Sequence, residues 1–310
     1  MKAQQTSPDS PSRSLPLSFQ LLRTGLDALA RVAPRRAGDA ALRLFGTPLR
    51  LPEPRREVTL REDGVSFQVP FRGLSLDACS WGSGPAVLLV HGWSGRAGQL
   101  GALVAPLVAE GHRVVAFDLP AHGRSGGSWS TLYEAAAAVQ AMADAVAAES
   151  GPLRGIIAHS FGAAATSLAL HQGLQAGAAV YIAPTGHIEQ GITSFVSRLG
   201  IGPRAAAALC RSLERGYGAD IWRELSAEAL LPGLRLPALV IHDVEDREVP
   251  FSEGESVVRA WPGARLLATR GMGHHRILWN PGVVDAAVSF VRETAERRAV
   301  VREPELALVS

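Results

Sequence analysis

The sequence predicts an α/β fold, with a mostly parallel sheet that is covered by helices on both faces. After Arg56, short apolar segments alternate with longer helical ones, a pattern typical of parallel strands joined by right-handed crossovers. The segment Ala86–Val90 is wholly apolar, as expected for a strand that is buried on both faces. The length of 310 residues suits one large α/β domain or two small ones.

Composition and charge exclude several classes of protein. With 47% hydrophobic and 19% charged residues, the chain is too apolar to be disordered, and it has no apolar run long enough to span a membrane. The net charge of +2 argues against a nucleic-acid partner. Cys79 and Cys210 belong to no Cys/His cluster, and no glycine-rich phosphate-binding motif is present. We therefore expect no metal and no cofactor, and the lack of a secretory signal predicts a cytoplasmic location.

Residues 1–56 are predicted to form a tail and a helical arm ahead of the main domain. Residues 1–16 are rich in Ser, Pro and Gln, which predicts a disordered tail. Apolar residues at helical spacing predict a helix from Leu17 that stops at Pro34, and a second helix over Ala40–Phe45. We expect this arm to pack on the domain or on a partner subunit. A membrane-surface helix is the alternative.

Residues 57–298 are predicted to form the main domain, followed by a C-terminal tail over 299–310. Glu57–Glu62 alternates in polarity and predicts an exposed edge strand, and Asp63-Gly64 predicts a hairpin turn after it. The strands predicted next are Val65–Val69, Leu74–Trp81, Ala86–Val90, Arg113–Phe117, Gly155–Ala158, Ala179–Ile182, Pro237–His242 and Arg265–Ala268. The helices predicted between them are Leu100–Glu110, Leu132–Ser150, Gly162–Gln172, Glu253–Ala260 and Val283–Arg297.

The alternation stops over residues 185–234, where the sequence is helical and irregular. Because ligand sites in such sheets lie at the carboxyl ends of the strands, this insertion is predicted to be a helical cap over the site. Its apolar residues either face the cleft or form the core of the cap itself. Phe195 and Trp222 are the candidates among them for the substrate pocket.

Ser160 lies in the segment Ala158-His159-Ser160-Phe161-Gly162, between an apolar strand and an Ala-rich helix. A strand that turns sharply into a helix holds its central residue on a strained backbone, so the residues two before and two after must be small. Ala158 and Gly162 meet this need, which predicts that Ser160 is presented as a nucleophile. An ordinary turn with a serine N-cap is the alternative.

The loop His91-Gly92-Trp93 directly follows the wholly apolar strand. A backbone N–H of this loop can join that of Phe161 to hold a developing oxyanion, and Trp93 is the candidate for this second donor. A glycine turn with a buried aromatic residue is the alternative. His91, together with His159 beside the predicted nucleophile, is a further candidate for the substrate pocket.

Two loops at later strand ends bring carboxylates and imidazoles. Asp243, Glu245 and Asp246 follow one strand, and His274 and His275 follow the next. A serine hydroxyl needs a base to remove its proton, and the base needs a carboxylate to fix its tautomer. All three residue types are present, in the chain order serine, carboxylate, histidine.

Together these motifs resemble those of the α/β-hydrolase superfamily, over roughly Glu57–Glu296. The shared motifs are the small-x-Ser-x-Gly elbow, the His-Gly-x loop, the segment Phe117–Ser125, Val249-Pro250 after the acidic loop, and a histidine after Gly-x-Gly. Ala158 stands where the family most often has glycine. The resemblance implies the α/β-hydrolase fold, with a mostly parallel eight-stranded sheet and a helical cap insertion.

The resemblance also implies a serine hydrolase mechanism. Ser160 would be the nucleophile, His274 the base, and Asp246, rather than Asp243 or Glu245, the acid. The expected substrate is a small molecule, a carboxylic ester with a small to medium apolar acyl group. A thioesterase or acyltransferase with the same triad is one alternative, and a non-catalytic binding module is another. The oligomeric state stays open.

Several other polar residues near these motifs are expected to be structural. His91, Asp118 and His122 match loop-scaffold positions of the family, which favours buried hydrogen bonding over catalysis. His187 and Glu189 begin the predicted cap. Exposure to solvent is expected for both, and contact with substrate is the alternative.

Overall fold

Eight strands form one sheet in the computed structural model, which describes the backbone of residues 17–302 and the side chains of residues 20–294. The predicted tail over 1–16 and residues 303–310 of the predicted C-terminal tail lie outside this range. The strands are β1 (Val65–Phe71), β2 (Leu74–Trp81), β3 (Ala86–Val90), β4 (Arg113–Phe117), β5 (Gly155–His159), β6 (Ala179–Ile182), β7 (Ala238–Asp243) and β8 (Arg265–Thr269).

The sheet is parallel except at one edge. Its strand order is β1-β2-β4-β3-β5-β6-β7-β8, and β2 pairs antiparallel with both β1 and β4. All other neighbours are parallel, so the loops after β3, β5, β7 and β8 leave the same edge of the sheet. The predicted α/β class with an eight-stranded, mostly parallel sheet is confirmed.

Helices precede the sheet, cover it and interrupt it. The N-terminal ones are α1 (Leu17–Val32), α2 (Pro34–Phe45) and α3 (Arg55–Glu62). Those between the strands are a 3-10 turn (Ala97–Leu103), α4 (Val104–Ala109), α5 (Leu132–Ser150), α6 (Phe161–His171), α7 (Ile188–Leu199), α8 (Pro203–Tyr217), α9 (Ile221–Glu224), α10 (Ala227–Leu230) and α11 (Phe251–Ala260). The chain continues after β8 with α12 (Gly273–Arg276), a 3-10 turn (Ile277–Trp279) and α13 (Pro281–Arg302).

Wholly buried strands form the centre of the core. Every residue of β3, β5, β6 and β7 is buried. Side chains from alternate positions of these strands enter two apolar clusters, one on each face: Leu88 and Ile156 belong to one cluster, and Leu89 and Ile157 to the other. A rigid sheet with both faces covered therefore carries the loops at its carboxyl edge.

The prediction of an edge strand over Glu57–Glu62 is wrong. This segment belongs to α3, and its residue Glu57 is buried and paired with Arg96, whose Nε lies 2.5 Å from Glu57 Oε2. A strand interpretation from alternating polarity assumes that charged residues face water. Here a charged residue faces inward because a buried arginine neutralises it.

The first hairpin also turns at a different place from the one predicted. Asp63 caps the end of α3, and the turn between β1 and β2 lies at Arg72-Gly73, whose φ angles are 46° and 77°. Positive φ at both central residues is the geometry that matches the twist of a two-residue hairpin. Asp63-Gly64 predicts a turn from composition alone, and that turn ends a helix instead.

The N-terminal arm packs on the inserted helices. Its second helix begins at Pro34, earlier than predicted, because proline suits the first position of a helix. A Cβ on Gly38 would lie 2.3 Å from the carbonyl oxygen of Ala208, so the backbones of α2 and α8 are in direct contact. The buried apolar residues of this contact are Leu26, Ala30, Ala37, Ala41, Ile192, Ile201, Ala205, Ala208, Leu209 and Leu213. Within the described range, no helix is long and apolar enough to cross a membrane.

The insertion between β6 and β7 contains four helices, α7 to α10. They lie within the predicted cap, 185–234. The division of the chain at residues 56 and 298 stays a prediction, although α13 continues past its second boundary to Arg302.

Candidate active site

Ser160 lies in a sharp turn between β5 and α6. Its backbone has φ 53° and ψ −120°, a conformation that residues other than glycine rarely adopt. The turn also brings the chain close to the β3 loop, because a Cβ on Gly162 would lie 2.4 Å from the carbonyl oxygen of His91. Only glycine fits at this second position, and the strained turn directs Ser160 toward the neighbouring loops.

Ser160, His274 and Asp246 are joined by two hydrogen bonds. Ser160 Oγ lies 3.0 Å from His274 Nε2, and His274 Nδ1 lies 2.7 Å from Asp246 Oδ2. Because an ionised carboxylate can only accept, Nδ1 carries the proton and Nε2 is free to accept the serine hydroxyl. All three residues are buried, with less than a tenth of each exposed. The structure thus brings together residues from the ends of three strands.

Asp246 is held as a charged group. Its Oδ1 accepts from the backbone N–H groups of Glu248 at 2.8 Å and Val249 at 3.0 Å. Burial opposes ionisation, but the nearby imidazoles of His242 and His274 outweigh burial and hold the pKa of Asp246 well below its ordinary value. An ionised Asp246 stabilises a positive charge on His274.

His242 is a contact of this site that the sequence interpretation missed. It is fully buried at the end of β7; its Nε2 donates to the carbonyl oxygen of Val249 at 3.0 Å and lies 3.6 Å from Asp246 Oδ2. The available signal was its position four residues before Asp246 at the end of an apolar strand.

The other two candidates for the acid, Asp243 and Glu245, have partners other than His274. Asp243 is fully buried, and its Oδ2 accepts from Thr269 Oγ1 at 2.9 Å and from the backbone N–H of Met272 at 3.0 Å. It therefore ties the acidic loop to the loop that carries His274. Glu245 pairs with Arg270 at the surface.

His159 packs against His274 and does not line an open pocket. It is almost fully buried, its Nε2 donates to the carbonyl oxygen of His274 at 3.1 Å, and the two ring centroids are 4.7 Å apart. Burial lowers its pKa well below the ordinary value, so it stays neutral. A Cβ on Gly92 would lie 3.0 Å from His159 Nδ1, which shows how closely the β3 loop packs against this ring.

Glu248 connects the triad loops to the cap. Its carboxylate accepts from His275 Nε2 at 3.0 Å and pairs with Arg198 on α7. The hydrogen bond from His275 lowers the pKa of Glu248 to about 2. Its carbonyl oxygen also accepts from Gln190 and Ser194 on α7. A single residue thus links the acidic loop, the histidine loop and the first cap helix.

His91 holds the loop after β3, which fits the expected loop-scaffold position and not the alternative place in the substrate pocket. It is fully buried, its Nε2 accepts from the backbone N–H of Leu119 at 3.0 Å, and its Nδ1 donates to the carbonyl oxygen of Gly92 at 2.7 Å. Both ring nitrogens are therefore occupied by backbone groups. Burial lowers the pKa of His91 to about 4, so the neutral ring is the stable form.

The loop after β4 braces the same region. Asp118 Oδ1 accepts from Ala97 N at 2.7 Å, and its Oδ2 accepts from Arg124 N at 2.7 Å. His122 Nδ1 donates to the carbonyl oxygen of Pro120 at 2.9 Å. These residues fix loop geometry, and none of these hydrogen bonds involves Ser160 or His274.

Four half-buried aromatic rings, here called the aromatic cluster, lie beside this site. They belong to Phe45, Trp93, Phe161 and Phe195. The rings of Trp93 and Phe161 meet edge to face with centroids 5.1 Å apart, and Phe45 contacts both Trp93 at 6.4 Å and Phe195 at 5.3 Å. Sequence reasoning missed Phe45, since no pattern in the arm relates it to the β3 loop.

Trp222 and His187 of the cap lie outside the aromatic cluster. Trp222 lies on α9, and its indole donates to Glu214 of α8 at 2.9 Å, a contact within the cap. His187 was expected to be exposed, but it lies between Glu253 at 3.1 Å and Glu228 at 2.9 Å. Glu189 is exposed.

Across the side chains that the structure describes, no three His, Cys, Asp or Glu residues are grouped so as to hold a metal ion.

Comparison with known families assigns this chain to one family. A model described as "Alpha/beta hydrolase family" matches residues 87–287, well over half of the chain. The chain therefore belongs to the alpha/beta hydrolase family. No curated protein matches it significantly in sequence.

Solved structures share the fold at low sequence identity. An esterase from Pyrococcus furiosus is 19% identical with a TM-score of 0.62, and the match covers 81% of this chain and 97% of that one. An esterase from a Rhodococcus species is 22% identical with a TM-score of 0.57, covering 75% and 99%. A thermophilic esterase from Thermogutta terrifontis is 19% identical with a TM-score of 0.56, covering 74% and 99%.

Proposed function

We propose that this protein is a serine hydrolase that cleaves a carboxylic ester through an acyl-enzyme. The observation that carries the proposal is the continuous hydrogen-bonded chain from Ser160 Oγ through His274 to Asp246, at 3.0 Å and 2.7 Å. A hydroxyl, a base with a free nitrogen and a charged carboxylate behind it are the three groups that acyl transfer requires.

In the first half-reaction, Ser160 Oγ attacks the carbonyl carbon of the ester while His274 Nε2 takes the hydroxyl proton. The carbonyl oxygen becomes an oxyanion as the tetrahedral intermediate forms. The bond from the carbonyl carbon to the alcohol oxygen then breaks, and His274 returns the proton to the leaving alcohol. Asp246 keeps Nδ1 protonated and stabilises the imidazolium that exists between these two steps.

In the second half-reaction, water attacks the acyl-enzyme by the same route. His274 Nε2 takes a proton from the water, the bond between Ser160 Oγ and the acyl carbon breaks, and the proton returns to the serine oxygen. The product is a carboxylic acid, and the enzyme regains its starting state. A thioester would follow the same steps, and an acyltransferase would replace the water by another acceptor.

The backbone N–H groups of Trp93 and Phe161 are our candidates for the oxyanion donors. Phe161 is the first residue of α6, where backbone N–H groups lack helical partners, and Trp93 lies in the facing loop. Gly92 of the loop after β3 packs against the turn at Ser160, and Gly162 of that turn packs against the loop, so the two segments lie close together. One donor of this type is worth about 3 kcal/mol of transition-state stabilisation in a related setting.

Labelling of Ser160 tests the proposal. A fluorophosphonate probe should label the wild-type protein at one serine, and the Ser160→Ala variant should neither label nor release nitrophenol from p-nitrophenyl esters, with kcat lowered by about 10⁶. Circular dichroism and thermal unfolding provide the folding control for the variant. A folded wild-type protein that never labels and never cleaves these esters would show instead that the domain is a binding module.

A further inference from the structure

The N-terminal arm contacts the candidate active site through Phe45. This residue ends α2, and its ring lies nearly parallel to that of Trp93, at an interplanar angle of 19°, and edge-on to that of Phe195, at 73°. Its ring tip, Cζ, lies 3.8 Å from the place that a Cβ would take at Gly191 on α7. Phe45 therefore fills the space between the β3 loop and the first cap helix.

The chain after Phe45 is fixed in place by several hydrogen bonds. The carbonyl oxygen of Gly46 accepts from Ser130 N at 2.8 Å, and the backbone N–H of Leu49 donates to Ser94 Oγ at 2.9 Å. The guanidinium of Arg50 donates three more hydrogen bonds, at 2.7–3.0 Å, to the carbonyl oxygens of Ala121, Ser125 and Gly127. The arm thus continues along the loops after β3 and β4, and the position of Phe45 is well determined.

The same arm is fixed at its other end by the cap. Asp39 on α2 accepts from Ser212 Oγ at 2.5 Å and from Arg215 at 2.8 Å, both on α8. Asp27 on α1 accepts from the backbone N–H of Gly202 at 3.0 Å. With contacts at both ends, α2 holds the cap against the loops of the sheet, and Phe45 lies at the junction.

The aromatic cluster lies next to the place where the acyl group of a bound ester would be held. The carbonyl carbon of a bound ester must lie at Ser160 Oγ, next to Phe161, whose ring contacts Trp93, which in turn contacts Phe45. The four residues are half-buried, so each retains some accessible surface. An acetyl group is too short to extend along this row of rings, whereas an aromatic or medium-length aliphatic acyl group can cover it.

We infer that Phe45, from the N-terminal arm, forms one wall of the acyl-binding pocket and selects esters with an aromatic or medium-length aliphatic acyl group. This inference rests on the proposed ester hydrolysis. The arm lies outside residues 87–287, the part of the chain that the family model matches.

Selectivity over acyl chains tests the inference. Phe45→Ala should be compared with wild type on p-nitrophenyl acetate, octanoate and phenylacetate, which share one leaving group. The ratio of kcat/KM for octanoate to that for acetate should fall at least tenfold, and so should the ratio for phenylacetate to acetate. Phe45→Leu, which keeps an apolar side chain, should give intermediate ratios, and it carries the comparison if the alanine variant does not fold.

Leu26→Ala is the matched control for the arm. Leu26 is buried between the arm and the cap, so this variant loosens the arm and keeps the ring of Phe45. Both selectivity ratios should stay within twofold of wild type. Equal losses in the Leu26 and Phe45 variants would overturn the inference, because Phe45 would then act only through the folding of the arm. Unchanged selectivity ratios in Phe45→Ala would also overturn it, because the ring would then have no effect on the choice of acyl group.

The failure of the inference is distinguishable from failure of the proposed function. A wild-type protein that labels with fluorophosphonate and cleaves the acetate ester, but not the octanoate or phenylacetate, would overturn the role of Phe45 and leave the hydrolase intact. A folded protein that neither labels nor cleaves any of the three esters would overturn both.

Discussion

Two aspartates three positions apart in the acidic loop have different surroundings. Asp246 faces the imidazole of His274, whereas Asp243 accepts from groups of the neighbouring loop, the hydroxyl of Thr269 and the backbone of Met272. Both are buried carboxylates in the same short segment. Their different hydrogen bonds predict different consequences when each is replaced.

Replacement of each aspartate by asparagine separates the two roles. Asp246→Asn should lower kcat by about 10⁴ with little change in fold, because the amide no longer fixes the tautomer of His274 or stabilises its charge. Asp243→Asn should mainly lower the free energy of unfolding, by about 1–3 kcal/mol, because an amide –NH₂ replaces one acceptor. Steady-state kinetics and urea unfolding measure the two effects. A larger loss of kcat in Asp243→Asn would refute the assignment of the acid.

Close contact between helices α2 and α8 explains why the arm is part of the folded structure. Gly38 lies against the carbonyl oxygen of Ala208 with no room for a Cβ, while Gly25 on α1 has nothing within 4 Å of such an atom. The two glycines therefore form a matched pair within one arm. One occupies a packed contact and the other faces open space.

Alanine at each of these glycines should shift stability in opposite directions. Gly38→Ala should lower the free energy of unfolding by about 1–3 kcal/mol, because the added methyl group forces the two helices apart. Gly25→Ala should raise it by roughly 0.4–1 kcal/mol, because alanine loses less backbone entropy in a helix. Urea unfolding of both variants measures these changes. Equal effects at both positions would mean that α2 and α8 are not packed this closely.

Stability of the whole molecule should depend on buried neutral histidines. Burial lowers the pKa of His91 to about 4 and that of His122 to about 3, whereas an unfolded histidine titrates near 6.5. Between pH 6.5 and these lower values, the unfolded chain binds more protons than the folded one. Their contribution to stability is therefore complete above pH 6.5 and is lost as the pH falls.

His91→Gln isolates one of these contributions. Glutamine retains an acceptor and a donor for the groups that His91 contacts, the N–H of Leu119 and the carbonyl oxygen of Gly92, but it does not titrate. Between pH 7.5 and 5, wild type should lose on the order of 2 kcal/mol more unfolding free energy than the variant. The raised pKa values of His187 and His275 act in the opposite direction in both proteins and cancel in the comparison. Parallel pH dependences in the two proteins would contradict this role for His91.

Strand bounds can be predicted from sequence where the residues on one face of a strand are all buried or all exposed. The bounds of β2, β3, β4 and β6 agree with those predicted, because continuous or alternating apolar runs between turn residues leave few other structures open. The error over Glu57–Glu62 arises where a charged residue faces inward, since only the distant Arg96 makes that burial favourable.

The sequence by itself determined the fold class, the sharp turn at Ser160, and the chain order of serine, carboxylate and histidine, because these depend on local backbone geometry and short motifs. The family resemblance already singled out Asp246 as the acid that faces His274. Tertiary structure alone decided that His242 lies behind this carboxylate and that Phe45 of the arm reaches the loop of Trp93. The physical reason is distance along the chain. Hydrogen bonds and ring contacts depend on positions within a few ångströms, and these are set only when separate elements pack together.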